Sequence, residues 1–235
     1  MGRGALSARR RAAHRGAAQA QNQQGVLMMF VSVSHFIPDV LLDVRYHTTF
    51  NFVAERVDGY DEPLVILTLE AAEALKAVNQ EARAMGLRLR LYDGYRPQRA
   101  VSHFVRWAQD IGKTETRHIF YPDVDKRDLF RLGFIAEKSG HSRGSTIDLT
   151  LFDEKTQKDL DMGGGFDFFG ELSWAESTRT LTQEQIQNRR TLRELMVKHG
   201  FRPLAEEWWH FTLIDEPFPD TYFDFPVSLK SLDSI

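Results

Sequence analysis

Cysteine is absent from the 235 residues. Disulfides, thiolate metal ligands and a cysteine nucleophile are excluded with it, and the redox compartment is left open. Long apolar runs are missing as well: none approaches the roughly 18 residues that a membrane-spanning helix needs. Acidic residues are missing from residues 1–25, which instead carry Arg3, Arg9, Arg10, Arg11 and Arg15 among Ala, Gly and Gln. Without apolar periodicity such a segment is expected to be a disordered basic extension. Arg9–Arg11 resemble the start of a twin-arginine signal, but the apolar core and small-residue cleavage site of a signal peptide are lacking. Residues 1–25 therefore read as a dispensable extension, arising from a start upstream of Met28 or Met29. A single domain over residues 26–235 is expected, in the cytoplasm, with the periplasm as the alternative.

What is present fits one sizeable folded unit: 42% of residues are hydrophobic and the net charge is -3. Setting the five N-terminal arginines aside leaves 25 basic against 33 acidic residues, so the body carries about -8. With no basic stripe on such a body, a nucleic-acid partner is not expected. Leu64–Leu67 reads as a short strand. Thr68 then precedes a helix to Met85 with Leu69, Ala72, Leu75 and Ala82 near helical spacing, acids in its first turns and Gly86 to end it. Leu87–Tyr92 alternates leucine with arginine, as a half-buried strand does. Asp93–Pro97 forms a turn, and a second helix follows with Pro97 in its first turn and Gly112 at its end. Residues 113–138 show no clear pattern. Ser145–Phe152 alternates again, and Met162–Gly170 is a glycine-rich loop. Thr182 and Gln185 form the pattern of a capping box for a helix running to His199. Trp208–Leu213 is the last strand, and an aromatic, irregular tail follows at Pro217–Pro226. Helices and strands do not alternate as repeating βαβ units, so the expected class is α+β, with helices packed on a small, mostly antiparallel sheet.

Two short clusters carry the candidate chemistry. His141 and Asp148 lie seven residues apart in SGHSRGSTIDLTL, and His210 ends EEWWH. Two imidazoles and a carboxylate suffice for a catalytic zinc, which takes three protein ligands and keeps one position open. Residues seven apart in a continuous strand face opposite ways, so His141 and Asp148 meet only where the chain bends, near Gly144. The competing reading makes Asp148 a solvent-facing aspartate on a half-buried strand. Near His210 two glutamates compete for the role of base: alternation selects Glu206, whereas an E-x-x-H spacing selects Glu207. Arg96, in the tight turn after Leu87–Tyr92, can stabilise an oxyanion or bind a carboxylate. Its plainer role is a salt bridge to Asp93. His35, His47 and His118 have no partner at ligand spacing, His199 suits a helix's last turn, His103 lies on an amphipathic helix and His14 in the basic extension.

LYDGYRPQRAVSHF, SGHSRGSTIDLTLF, MGGGFDFFG, EEWWHF and DEPFPDTYFDFPV together resemble the D-alanyl-D-alanine dipeptidases, zinc enzymes associated with vancomycin resistance, from about Asp39 to Val227. The resemblance implies one zinc per chain on His141, Asp148 and His210, with Glu207 as general base and Arg96 stabilising the transition state. It implies that Asp167 holds the substrate's ammonium group and that Tyr46 and Ser139 line the pocket. Gly140 stands where some relatives have serine. The implied substrate is a small D,D-dipeptide. The implied fold is the α+β core shared with zinc D,D-carboxypeptidases and the hedgehog signalling domain. Three other readings remain: a D,D-carboxypeptidase or endopeptidase with an open cleft, a zinc-stabilised binding module without catalysis, and a metal-free structural domain.

Overall fold

Strand patterns that share one apolar face are expected to pair, and they do. The computed structural model describes residues 29–177 and 180–233; the extension at residues 1–25 lies outside them. Eight strands are described: β1 (Phe30–Ser32), β2 (Leu41–Leu42), β3 (Ile66–Thr68), β4 (Leu87–Asp93), β5 (Thr146–Asp153), β6 (Lys158–Asp159), β7 (Phe201–Leu204) and β8 (Glu207–Leu213). The main sheet runs β2-β4-β5-β8-β7, with β6 also paired to β5. Its pairings are antiparallel except for β2 with β4. β1 and β3 form a separate antiparallel ribbon. Three longer helices cover the strands: α1 (Leu69–Ala84), α2 (Gln98–Gln109) and α3 (Gln183–Lys198). The α+β class and the mostly antiparallel sheet are as the sequence predicts.

α1 turns Ala71, Ala72, Leu75, Val78 and Ala82 inward and packs against β4; α3 uses Leu192, Leu195 and Met196 against β7 and β8. The capping box of α3 is complete: Gln185 N–H donates to Thr182 Oγ1, and Thr182 N–H donates to Gln185 Oε1. Pro97 stands just outside α2 rather than in its first turn, and that helix closes at Gln109, before Gly112. The strand expected at Leu64–Leu67 starts two residues later and ends one later, at Ile66–Thr68. The largest departure is β5. Its alternation predicts one wet face, yet every residue from Thr146 to Phe152 is buried. β5 lies inside the sheet between β4 and β8, and its threonines and aspartate are enclosed together with its leucines.

Register is what this fold contributes to the site. β4, β5 and β8 lie side by side so that Asp93 pairs with Asp148, and Asp148 with His210. The aromatic tail wraps back to hold the adjoining turns: Gln98 N–H donates to Phe223 O, and Phe223 N–H donates to Ser142 O. Phe218, Phe223, Phe225 and Tyr95 surround Phe30. Gly144 closes the turn before β5 with φ +85°, and a Cβ there would lie 2.3 Å from Phe30 Cε1. Gly144→Ala is therefore expected to combine left-handed strain with overpacking and cost about 2–5 kcal/mol. A urea midpoint shifted by less than that of an ordinary surface substitution would refute the strain argument. Among the described residues, no helix is long and apolar enough to cross a membrane.

Candidate active site

The bend that the His141–Asp148 spacing requires is a short 3-10 turn, Gly140–Arg143, closed by left-handed Gly144. Ser139 caps it, its Oγ accepting from His141 N–H at 3.3 Å. The turn drops His141 beside Asp148, which is 1% exposed. This exposure removes the solvent-facing reading of Asp148. His141 Nε2 lies 3.2 Å from Asp148 Oδ2 and 3.3 Å from His210 Nδ1, and His210 Nδ1 lies 3.1 Å from Asp148 Oδ1. One donor atom from each of the three residues falls within 4.8 Å of the others.

Burial alone would raise the Asp148 carboxyl, but the two imidazoles hold it below the usual carboxylate range. His210 rises to about 9: burial pulls it down, and hydrogen bonds and charge from Asp148 and Glu207 more than offset this. His141 Nδ1 faces Gly94 O at 2.7 Å. A carbonyl only accepts, so Nδ1 carries a hydrogen and Nε2 is the nitrogen turned toward the cluster.

Glu207 opens β8 directly after a tight turn with a register shift, and its Oε2 lies 3.3 Å from His210 Nδ1. The bulge overrides simple alternation, and Glu206 is left exposed on the turn. Arg96 does make the plain salt bridge, Nε to Asp93 Oδ2 at 2.9 Å, but its Nη2 also reaches within 3.6 Å of Asp148. Its guanidinium carbon stands 5.0 Å over the Tyr46 ring. Asp167 lies opposite, buried, with Tyr46 Oη donating to both carboxylate oxygens at 3.1 and 3.0 Å. Burial pushes the Asp167 carboxyl well up; Arg96 opposes this, and Asp148 and Glu207 add to it. A cavity of about 280 Å³ is walled by Tyr46, Arg96, Ser139, Asp167 and Glu207 together with the His141, Asp148 and His210 cluster. The site residues expected from sequence are thus all in one place.

Sequence reasoning missed the support behind Arg96. Tyr60 Oη donates to Asp93 Oδ1 at 2.6 Å, while Asp93 Oδ2 receives Arg96 and lies 3.6 Å from His141 Nδ1. Asp93 was visible beside Arg96, but no local signal links Tyr60 to it across 33 positions. Elsewhere His103 pairs with Glu55 and Asp58, and His199 with Glu81, away from the cavity.

Two imidazoles and a carboxylate converging on a small cavity, with a glutamate at its edge, are the apparatus of a hydrolytic metalloenzyme. Comparison with known proteins gives the class a name. Residues 27–228 match the family described as D-ala-D-ala dipeptidase, within the M15 peptidases. The chain belongs to that family and is a metallopeptidase. It is 42% identical over 199 residues to the D-alanyl-D-alanine dipeptidase of Enterococcus faecalis, covering 85% of this chain and 98% of that one. It is also 42% identical over 201 residues to the enzyme of the same name from Streptomyces coelicolor, with the same coverage. Among solved structures, a zinc complex of a vancomycin-resistance D,D-pentapeptidase, VanY, matches with a TM-score of 0.40 at 14% identity, over 67% of this chain and 78% of that one.

Proposed function

We propose that this chain hydrolyses D-alanyl-D-alanine to two molecules of D-alanine, with one zinc ion held by His141, Asp148 and His210. One observation carries the reading: the convergence of these three donor atoms within 4.8 Å on the wall of the cavity. The donor set fits the metal. Asp148 Oδ1 is buried and meets only His210 Nδ1, at 3.1 Å and without hydrogen-bond alignment, and two nitrogens with one carboxylate suit a zinc that keeps an open position. Zinc bound there supplies Lewis acidity, acidifying water and polarising a peptide carbonyl.

The remaining work falls to side chains. Glu207 takes the proton from the attacking water and returns it to the departing amine. Arg96, kept cationic and held by Asp93, stabilises the negative charge that develops on the carbonyl oxygen. Asp167, buried and with Tyr46 as its one direct side-chain donor among the described residues, takes the substrate's ammonium group, whose charge would hold it ionised. Ser139 fixes the turn carrying His141 and lines the cavity. A volume of about 280 Å³ lies just under the ~300–1,000 Å³ of pockets for drug-sized ligands, which suits a dipeptide rather than a longer peptide.

The direct test compares D-Ala-D-Ala, L-Ala-L-Ala and a pentapeptide ending in D-Ala-D-Ala, each with and without a chelator. Cleavage of the free D,D-dipeptide that chelation stops and added zinc restores is expected. Faster release of D-alanine from the pentapeptide would make the enzyme a carboxypeptidase instead. Arg96→Ala is expected to lower kcat about 10²-fold, as loss of one oxyanion donor does, with zinc content unchanged. A KM effect alone would reassign Arg96 to substrate binding.

A further inference from the structure

Asp167 stands in a glycine-rich stretch, Met162–Gly170, that no helix or strand ladder supports. Its two ends are instead joined by one side chain. Arg189, buried on α3, donates Nε to Met162 O at 2.6 Å, Nη2 to Leu172 O at 2.6 Å and Nη1 to Trp174 O at 2.8 Å. Among the described residues no carboxylate forms an ion pair with it. Burial lowers its pKa to about 10, with Asp161 opposing. An unpaired buried cation is costly, and a planar fork of donors is the one side chain able to hold several divergent carbonyls at once.

The same guanidinium reaches the apex of the loop through a chain of edge-to-face rings. It lies 5.8 Å from the Trp208 ring; Trp208 meets Trp209 edge-on at 5.3 Å, and Trp209 meets Phe166 at 5.4 Å. Phe166 immediately precedes Asp167. Asp167 itself has φ +60°, a conformation that a non-glycine residue keeps only where its surroundings enforce it.

We infer that Arg189 is a positioning residue for substrate recognition: by closing the base of the loop between Met162 and Trp174, it sets where Asp167 receives the ammonium group. It touches no substrate. The inference rests on the ammonium role proposed for Asp167, so the test must separate the two. The variants are Arg189→Gln, Arg189→Lys and Asp167→Asn, each checked for zinc content and a cooperative melt. The probes are D-Ala-D-Ala as substrate and N-propionyl-D-alanine, the same skeleton without the ammonium, as competitive inhibitor.

Asp167→Asn is expected to raise KM for D-Ala-D-Ala and leave the inhibitor's Ki unchanged. Arg189→Gln is expected to raise KM about tenfold with kcat within about twofold, since it displaces a positioning group rather than a reacting one. Arg189→Lys should fall between it and the wild type, again with Ki and zinc unaltered. KM unchanged in both Arg189 variants, or KM and Ki rising together, would overturn the positioning role. So would a lysine variant that no longer melts cooperatively, which would make Arg189 a core stabiliser only. An Asp167→Asn enzyme that treats substrate and inhibitor alike would instead sink the ammonium reading, and the role of Arg189 with it.

Discussion

Glu207→Gln should still bind one zinc per chain yet lose turnover of D-Ala-D-Ala by about 10³-fold or more, near the upper range for removal of a general base. Glutamine keeps the size and polarity of the side chain but cannot accept the proton. Glu207 contributes none of the three clustered donor atoms, so metal content should not follow activity. It is 31% exposed at the edge of the cavity, so its replacement should cost little stability. Metal analysis beside steady-state kinetics decides the matter. Activity within tenfold of wild type would remove Glu207 from the mechanism and return attention to Glu206. Zinc lost together with activity would make Glu207 a determinant of metal binding rather than a base.

The elements that declared themselves in the sequence are those whose local pattern and tertiary setting agree. α1, β4 and α3 carry an apolar stripe, a strict alternation and a complete cap, and each lies within a few residues of its expected bounds. β7 was illegible because it holds Pro203 and lies at the edge of the sheet, where the proline's missing N–H is tolerated. The two-residue strands β2 and β6 are too short to show any period. Residues 113–138 contain only single turns, held by isolated contacts such as Lys126 Nζ to the carbonyls of Asp110 and Lys113. In β5 the polar positions alternate as they would on a wet surface, but all are buried: Thr146 hydrogen-bonds Thr212 and Asp148 enters the cavity, and pattern alone cannot distinguish water from such partners.

The site was legible in kind but not in construction. Spacing placed His141 beside Asp148 only through a bend, and left-handed Gly144 closes that bend. Alternation points to Glu206, yet it is Glu207 that lies beside His210, because the register shift between β7 and β8 breaks the period just where Glu207 begins. Arg96 reads as either salt-bridged or functional, and its salt bridge does not take it out of the cavity: Nε is spent on Asp93 while Nη2 faces Asp148. What one sequence could not show is long-range support, such as Tyr60 behind Asp93 and Arg189 behind the glycine-rich loop. Both are ordinary residues locally and acquire their roles from where the fold brings them.

His210→Ala is the variant expected to do most damage, losing zinc and activity together by about 10⁴-fold or more, since two remaining ligands cannot complete a three-ligand catalytic site. The consequence should also extend to stability. His210 lies across the β5–β8 pairing from Asp148, and its imidazole helps keep that buried carboxylate ionised. Without it Asp148 loses a charge-assisted partner in a site it cannot leave, a cost of about 1–3 kcal/mol or more. A ligand that binds only the folded state stabilises it by about 4 kcal/mol at a thousand times its Kd. Wild-type protein should therefore melt higher with zinc than after chelation, whereas His210→Ala should melt at the same temperature in both and below chelated wild type. The contrast with Glu207→Gln is the informative part: one variant keeps the zinc-dependent rise in melting temperature without turnover, and the other keeps neither. A His210→Ala protein that retains equimolar zinc would place the metal outside the His141–Asp148–His210 cluster and remove the foundation of the proposed mechanism.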